Sequence, residues 1–99
     1  MKRFRLSPEA ANDIREIWEF IAQDNIEAAE RVRRELLAAI QSLAEMPGKG
    51  HTREDLTEKP VRFWPVRAYL IVYLPEADPL DIVAVLHGSR DIPTLLRER

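Results

Sequence analysis

Two short runs near the C-terminal half limit what this chain can become. Tyr69 to Leu74, Tyr-Leu-Ile-Val-Tyr-Leu, is apolar or aromatic for six residues, and Leu80 to Leu86 is nearly so, broken only by Asp81. Runs this short, rich in β-branched and aromatic residues and bounded by Pro75, Pro79 and Gly88, read as strands rather than helix turns. Strands that are apolar on both alternating faces need cover on both faces. The remainder of the chain must supply that cover, or a partner must.

Upstream, the spacing changes from two to between three and four. Ser7-Pro8-Glu9 carries a capping hydroxyl, a proline suited to the first helical position and an acid that suits the helix dipole. A helix to about Asp24 follows, with Ile14, Ile17, Trp18 and Ile21 on one stripe and Asp13, Arg15, Glu16 and Glu19 mostly on the other side. Asp24-Asn25 breaks it, and Ile26 to about Glu45 repeats the pattern with Ala29, Val32, Leu36, Ile40 and Leu43. Its outer face holds Glu27, Glu30, Arg31, Arg34 and Glu35, as a solvated face does. The short link makes an antiparallel helical hairpin.

Lys2 to Leu6 alternates as a short half-buried strand. Residues 47–60 form a loop, and Gly48-Lys49-Gly50 within it lacks the length and ending of a phosphate loop. Strands are expected at 61–66, 68–75 and 80–87, with Pro65 placing the first at an edge or bulge. Ile92 to Arg99 is a short C-terminal stub of one or two helical turns. The order β-α-α-β-β-β predicts an α+β fold, a helical hairpin on one face of a mainly antiparallel four-stranded sheet, within a single domain spanning residues 1–99.

Strict alternation puts Leu70, Val72, Leu74, Ile82, Ala84 and Leu86 on one sheet face. Tyr69, Ile71, Tyr73, Val83 and Val85 fall on the other, with His87, Arg62 and Trp64 at its rim. One hairpin cannot cover both faces. The expectation is therefore a partly exposed apolar and aromatic face with basic groups around it, a composition that suits a protein partner. The alternatives are closure by Leu95 and Leu96 folding back, or by a second copy.

Composition excludes several classes. The 99 residues carry 15 basic and 17 acidic side chains, net −2, without the basic excess that phosphate neutralisation demands, so direct nucleic-acid binding is not favoured. Lys59, Arg62 and Arg67 form only a small local cluster. With no cysteine there is neither disulfide nor thiolate metal site. His51 and His87 lie too far apart in sequence to suggest a metal site, and no cofactor motif is present. No run reaches the roughly 18–20 apolar residues of a membrane span, and the N-terminus lacks a signal-like apolar stretch. The expected location is the cytoplasm.

Leu6-Ser7-Pro8-Glu9-Ala10, Asp13-Ile14, Ile17-Trp18, Pro47-Gly48, Val61-Arg62, Tyr69 to Tyr73 and Val85-Leu86-His87-Gly88-Ser89-Arg90-Asp91 together resemble the RelE/ParE family of type II toxins. The resemblance spans nearly the whole chain and implies the same fold. RelE-like members cut messenger RNA on the ribosome; ParE-like members poison DNA gyrase by protein contact. Where RelE-like chains carry arginine inside the Tyr-x-x-x-Tyr strand, this one has Leu70. Ser89 stands in place of their lysine, and an aliphatic residue, Leu95 or Leu96, in place of a later tyrosine. Of that pattern only Arg90 is kept.

The resemblance therefore implies the ParE branch: a non-enzymatic toxin whose partners are DNA gyrase and a cognate antitoxin. The antitoxin's disordered C-terminal segment would fold onto the toxin, within a toxin–antitoxin hetero-oligomer. The partner-binding candidates are Arg90, His87, Arg62, Arg67, Trp64, Tyr69, Ile71, Tyr73, Val83 and Val85. The alternative is a ribosome-dependent endoribonuclease, for which Arg90, His87, Arg67 and Glu58 are the candidate catalytic residues. A third reading is a non-toxic homologue retained as a binding module. For Arg90 the competing structural role is an ion pair with Asp91 or a loop-anchoring hydrogen bond.

Overall fold

A computed structural model describes residues 2–99. In chain order the elements are β1 (Phe4–Leu6), α1 (Pro8–Ala22), α2 (Ile26–Glu45), β2 (Arg62–Val66), β3 (Tyr69–Leu74), β4 (Leu80–His87) and α3 (Ile92–Arg97), with a single 3-10 turn at Pro47–Lys49. The sheet order is β1-β4-β3-β2; β1 runs parallel to β4 and the other pairs are antiparallel. This is the expected α+β architecture, with one parallel pair at its edge.

Ser7 sets the junction between strand and helix. Its hydroxyl accepts from Ala10 N–H at 3.0 Å, as an N-cap does, and donates to Val83 O at 3.2 Å. Its own N–H donates to Ile82 O at 3.0 Å, so the entry to α1 is tied to β4. Asn25 caps α2 by accepting from Ala28 N–H at 3.0 Å. Across the hairpin, Trp18 Nε1 donates to Glu30 Oε1 at 2.7 Å. Trp18 is thus half-buried with its polar tip used between the helices, rather than a core residue of the α1 stripe.

The hairpin lies on the face that carries Ile71, Tyr73, Leu80, Ile82 and Val85, against which Ala10, Ile14, Val32, Leu36, Ile40 and Leu43 are buried. The division of β4 differs from strict alternation. Val72 pairs with Ala84 but Tyr73 pairs with Ile82, which leaves Val83 as the extra residue of a bulge. A bulge shifts the side-chain phase by one. Ile82 therefore joins the hairpin face with Val85, while Val83 goes to the opposite face with Ala84 and Leu86.

The opposite face is not left open, which corrects the expectation of an exposed apolar layer. The α3 helix covers it: Ile92 and Leu96 are buried against Val61, Phe63, Val72, Ala84 and Leu86, with Leu56 and Leu95 at the margin. The i, i+4 pair Ile92 and Leu96 presents two large side chains to one spot, and Leu70, Leu74 and Val83 around them are partly buried. The C-terminal stub thus serves as the second layer.

The β2 edge is shielded by a bridge to His51, with His51 N–H to Phe63 O at 2.9 Å and Phe63 N–H to His51 O at 2.7 Å. Pro65 sits in this edge strand, where its missing donor costs no ladder bond. Among the described residues no helix is long and apolar enough to cross a membrane.

Candidate partner-binding site

Where β4 ends, the chain turns through Gly88-Ser89 and leaves a shallow hollow of about 300 Å³ against the exposed side of α1. Ile17, Phe20, Tyr69 and Val85 form its apolar part; His87 and Arg90 stand on one lip, Asp13 and Glu16 on the other. Tyr69 meets the His87 ring edge-on, with centroids 5.4 Å apart and planes at 87°. His87 Nδ1 accepts from Ser89 N–H at 3.1 Å and lies 2.7 Å from Ser89 Oγ, which fixes the ring at the strand exit.

The charges around the hollow are unequal in availability. Asp13 is engaged bidentately by Arg99, Nη1 to Oδ2 at 2.6 Å and Nη2 to Oδ1 at 2.9 Å, and Asp13 Oδ2 also accepts from Val85 N–H at 3.0 Å. Hydrogen bonding to Asp13 holds the Arg99 guanidinium above its ordinary value, against the opposing effect of burial. Asn12 Nδ2 donates to Glu16 Oε1 at 2.7 Å. Arg90 is exposed, and no described carboxylate forms an ion pair with it. Asp91, the alternative partner considered for it, caps α3 instead, accepting from Thr94 N–H at 3.4 Å and Thr94 Oγ1–H at 2.8 Å. Those two bonds hold the Asp91 carboxyl below the usual carboxylate range, helped by Arg97.

The other candidates do not line this hollow, although the β2–β3 turn abuts its rim, Gly88 N–H donating to Ala68 O at 2.8 Å. Arg67 occupies the two-residue β2–β3 turn at φ 54° and grips Glu35 of α2, Nε donating to Oε1 at 2.7 Å and Nη2 to Oε2 at 2.8 Å. That grip lowers the Glu35 carboxyl, with the neighbouring charges of Arg31 and Arg34 adding to it. Arg62 Nη1 donates to Gly50 O at 2.7 Å and straps the 47–51 loop. Trp64 stacks beside His51 with Lys49 Nζ 4.6 Å above its ring. Ile71 and Tyr73 are wholly buried under the hairpin, so neither is available to a partner while the hairpin stays seated. Val83 lies on the α3 face, its carbonyl accepting from Arg99 Nη1 at 3.3 Å. Glu58 borders a different, larger hollow with Arg53, Lys59 and Arg62.

Tyr73 is a structural residue. Gly50 N–H donates to its hydroxyl at 2.9 Å, and the hydroxyl donates to Pro47 O at 2.7 Å. Burial pushes this phenol above its ordinary value, opposed by the Gly50 bond and the Arg62 charge. A Cβ at Gly50 would clash with the Tyr73 oxygen, which accounts for glycine there.

Of the ten partner-binding candidates, the hollow therefore gathers Tyr69, His87 and Arg90 at its surface, with Val85 only as its buried floor. It adds Phe20, which the sequence pattern alone does not single out. Phe20 falls off the Ile14-Ile17-Trp18-Ile21 stripe, and an aromatic residue on the polar side of a helix is the one signal the sequence offers.

A profile of the family described as "ParE toxin of type II toxin-antitoxin system, parDE" matches residues 4–92. The chain belongs to the ParE toxin family. Toxin ParE1 of Caulobacter vibrioides is 34% identical to it over 90 residues, covering 90% of this chain and 92% of the relative. A solved structure titled "Chromosomal ParDE TA system from P. aeruginosa" shares the fold at a TM-score of 0.70. It is 16% identical and covers 88% of this chain and 96% of its own. In this ParE-family chain the matched segment includes the whole α1–β4 hollow and stops at the first residue of α3.

Proposed function

We propose that this ParE-type toxin inhibits DNA gyrase by direct protein contact, in the bacterial cytoplasm, and that a cognate antitoxin neutralises it by folding a flexible segment onto its surface. The observation that supports contact over RNA cleavage is that the groups a nuclease would need are not free at one point: Arg67 is engaged by Glu35, and Glu58 lies apart. In-line cleavage requires a base, an acid and cations around one phosphate. Arg90 and His87 share a hollow, and the β2–β3 turn reaches the same end of the sheet, Gly88 N–H donating to Ala68 O at 2.8 Å, but the Arg67 guanidinium is held by Glu35 and Glu58 borders a separate loop cavity. Family membership supports the toxin–antitoxin setting and the antitoxin partner.

The test uses purified toxin in a gyrase supercoiling reaction, with and without antitoxin, alongside expression in a bacterial host. The expected result is loss of supercoiling with accumulation of cleaved DNA, reversal by antitoxin, and an SOS response with intact messages. Messages cut in the ribosomal A site without an SOS response would overturn this reading in favour of the endoribonuclease. Absence of any growth effect in several hosts would favour a non-toxic binding module.

A further inference from the structure

We propose that the α1–β4 hollow is the seat of one anchor of the antitoxin segment, a bulky apolar side chain with a carboxylate beside it; this rests on the antitoxin reading above. The apolar part of the argument begins with Phe20. At 72% exposure it is the most exposed large hydrophobic side chain among the described residues, and it stands beside Ile17 and Tyr69, over the buried Val85, rather than alone. An isolated surface phenylalanine carries no message, but one that walls a concave site does. A volume of about 300 Å³ is at the small end for a ligand site and suits one large side chain, or two small ones.

Charge selects the chemistry next to the anchor. On the acidic lip Asp13 is ion-paired with Arg99, whose guanidinium also feels the Glu16 charge, while Glu16 itself accepts only from the neutral Asn12 amide. The opposite lip, Arg90, keeps an exposed guanidinium with no carboxylate paired to it, because Asp91 is committed to the cap of α3. An approaching acid therefore meets an unpaired cation at Arg90, whereas an approaching base meets Asp13 already paired and Glu16 sharing the field of Arg99. A flexible segment reaches such a narrow site more readily than a folded surface does, and segments that order on binding are typically rich in charge. The hollow accordingly favours an apolar-then-acidic stretch of antitoxin over the broad face of a folded enzyme.

The experiment measures the affinity of the purified antitoxin for Phe20→Ser, Arg90→Gln and Ile26→Ser toxins at two salt concentrations. Thermal melts confirm that each variant is folded. Phe20→Ser is expected to weaken binding about tenfold or more without altering its salt dependence. Arg90→Gln should weaken binding and flatten the salt dependence, because the lost contact is ionic. Ile26, 62% exposed but outside the hollow, should change affinity less than about twofold on substitution. Affinities unchanged in both hollow variants overturn the proposal while leaving the antitoxin reading intact. Gyrase inhibition lost in both variants with antitoxin affinity unchanged reassigns the hollow to gyrase and also overturns it. If wild-type toxin fails to bind the antitoxin at all, the underlying reading falls, and the proposal with it.

Discussion

The two faces of the sheet are closed by different means. On one, 35 residues of helix lay a continuous apolar stripe across Ile71, Tyr73, Ile82 and Val85. On the other, a helix of six residues contributes two buried side chains, Ile92 and Leu96, and is held at its ends by polar ties. Asp91 caps its start. Lys59 Nζ donates to Leu96 O at 2.6 Å and to Arg99 O at 3.3 Å, and Arg99 clamps Asp13 across the β4 bulge. Area secures the first face; a few located contacts secure the second. Local opening free energies follow buried apolar contact, so the α3 face should open first and the hairpin face should open only with the whole molecule.

The largest test of that contrast is a matched pair of truncations. Leu36→Ala empties a fully buried position under the hairpin, and should cost about 2–5 kcal/mol. At about 4–8 °C per kcal/mol for a domain of this size, the fall in melting temperature would be large. Leu96→Ala removes a side chain of the same size at 1% exposure, yet its loss should appear mainly as faster amide exchange in α3 and β4, with a smaller shift in melting temperature. Equal thermal shifts, with exchange raised uniformly, would show that the faces are one cooperative unit and break the contrast.

Next in size is the Asp13–Arg99 pair, 11% and 16% exposed at its side chains. Asp13→Ala should cost about 2 kcal/mol, because it strands the Arg99 guanidinium and leaves Val85 N–H without its acceptor. A double-mutant cycle with Arg99→Ala should return a coupling on the order of 1 kcal/mol. A coupling near zero would mean that the clamp contributes nothing to holding α3. On the hairpin side, Tyr73→Phe should cost about 1 kcal/mol, since Gly50 N–H and Pro47 O both lose a partner. Its effect should be confined to the 47–51 loop, as resolved by exchange.

These contacts also mark how far the sequence can be read. Strand and helix types are legible because their signals are local: the Tyr69–Leu74 run, the period of α1 and α2, and the Ser7-Pro8-Glu9 start. Facial assignment in β4 is not, because a bulge at Val83 is chosen by pairing with β3 rather than by any residue of its own. The cover on the second face is hard to read for a related reason. Ile92 and Leu96 are two side chains in a weak helical pattern, and their value depends on Lys59 and Asp13, which arrive from distant parts of the chain. Helical phase alone places Asp13 on the solvent side. At the candidate site, Arg90 and His87 are legible from the turn that ends β4, whereas Phe20 needs the packing of α1 to become part of the same hollow.

The smallest expected effect separates the faces by acid. Asp91 and Glu35 both have carboxyls held below their ordinary value, Asp91 by its bonds to Thr94 and Glu35 by its bonds to Arg67. A carboxyl whose folded value is depressed releases its proton more readily when folded. Its stabilising contribution is therefore complete above the unfolded value, near about 4, and is lost as pH falls through the folded one. Acidification below about pH 4 should then loosen two separate places, the start of α3 through Asp91 and the β2–β3 turn against α2 through Glu35. Asp91→Asn keeps a good capping residue without a titrating group, and should remove the acid response of α3 exchange while leaving that of the turn. Glu35→Gln should do the reverse. If either substitution abolished both responses, the cap and the ion pair would belong to a single opening unit, and the sheet's two covers would not be independent.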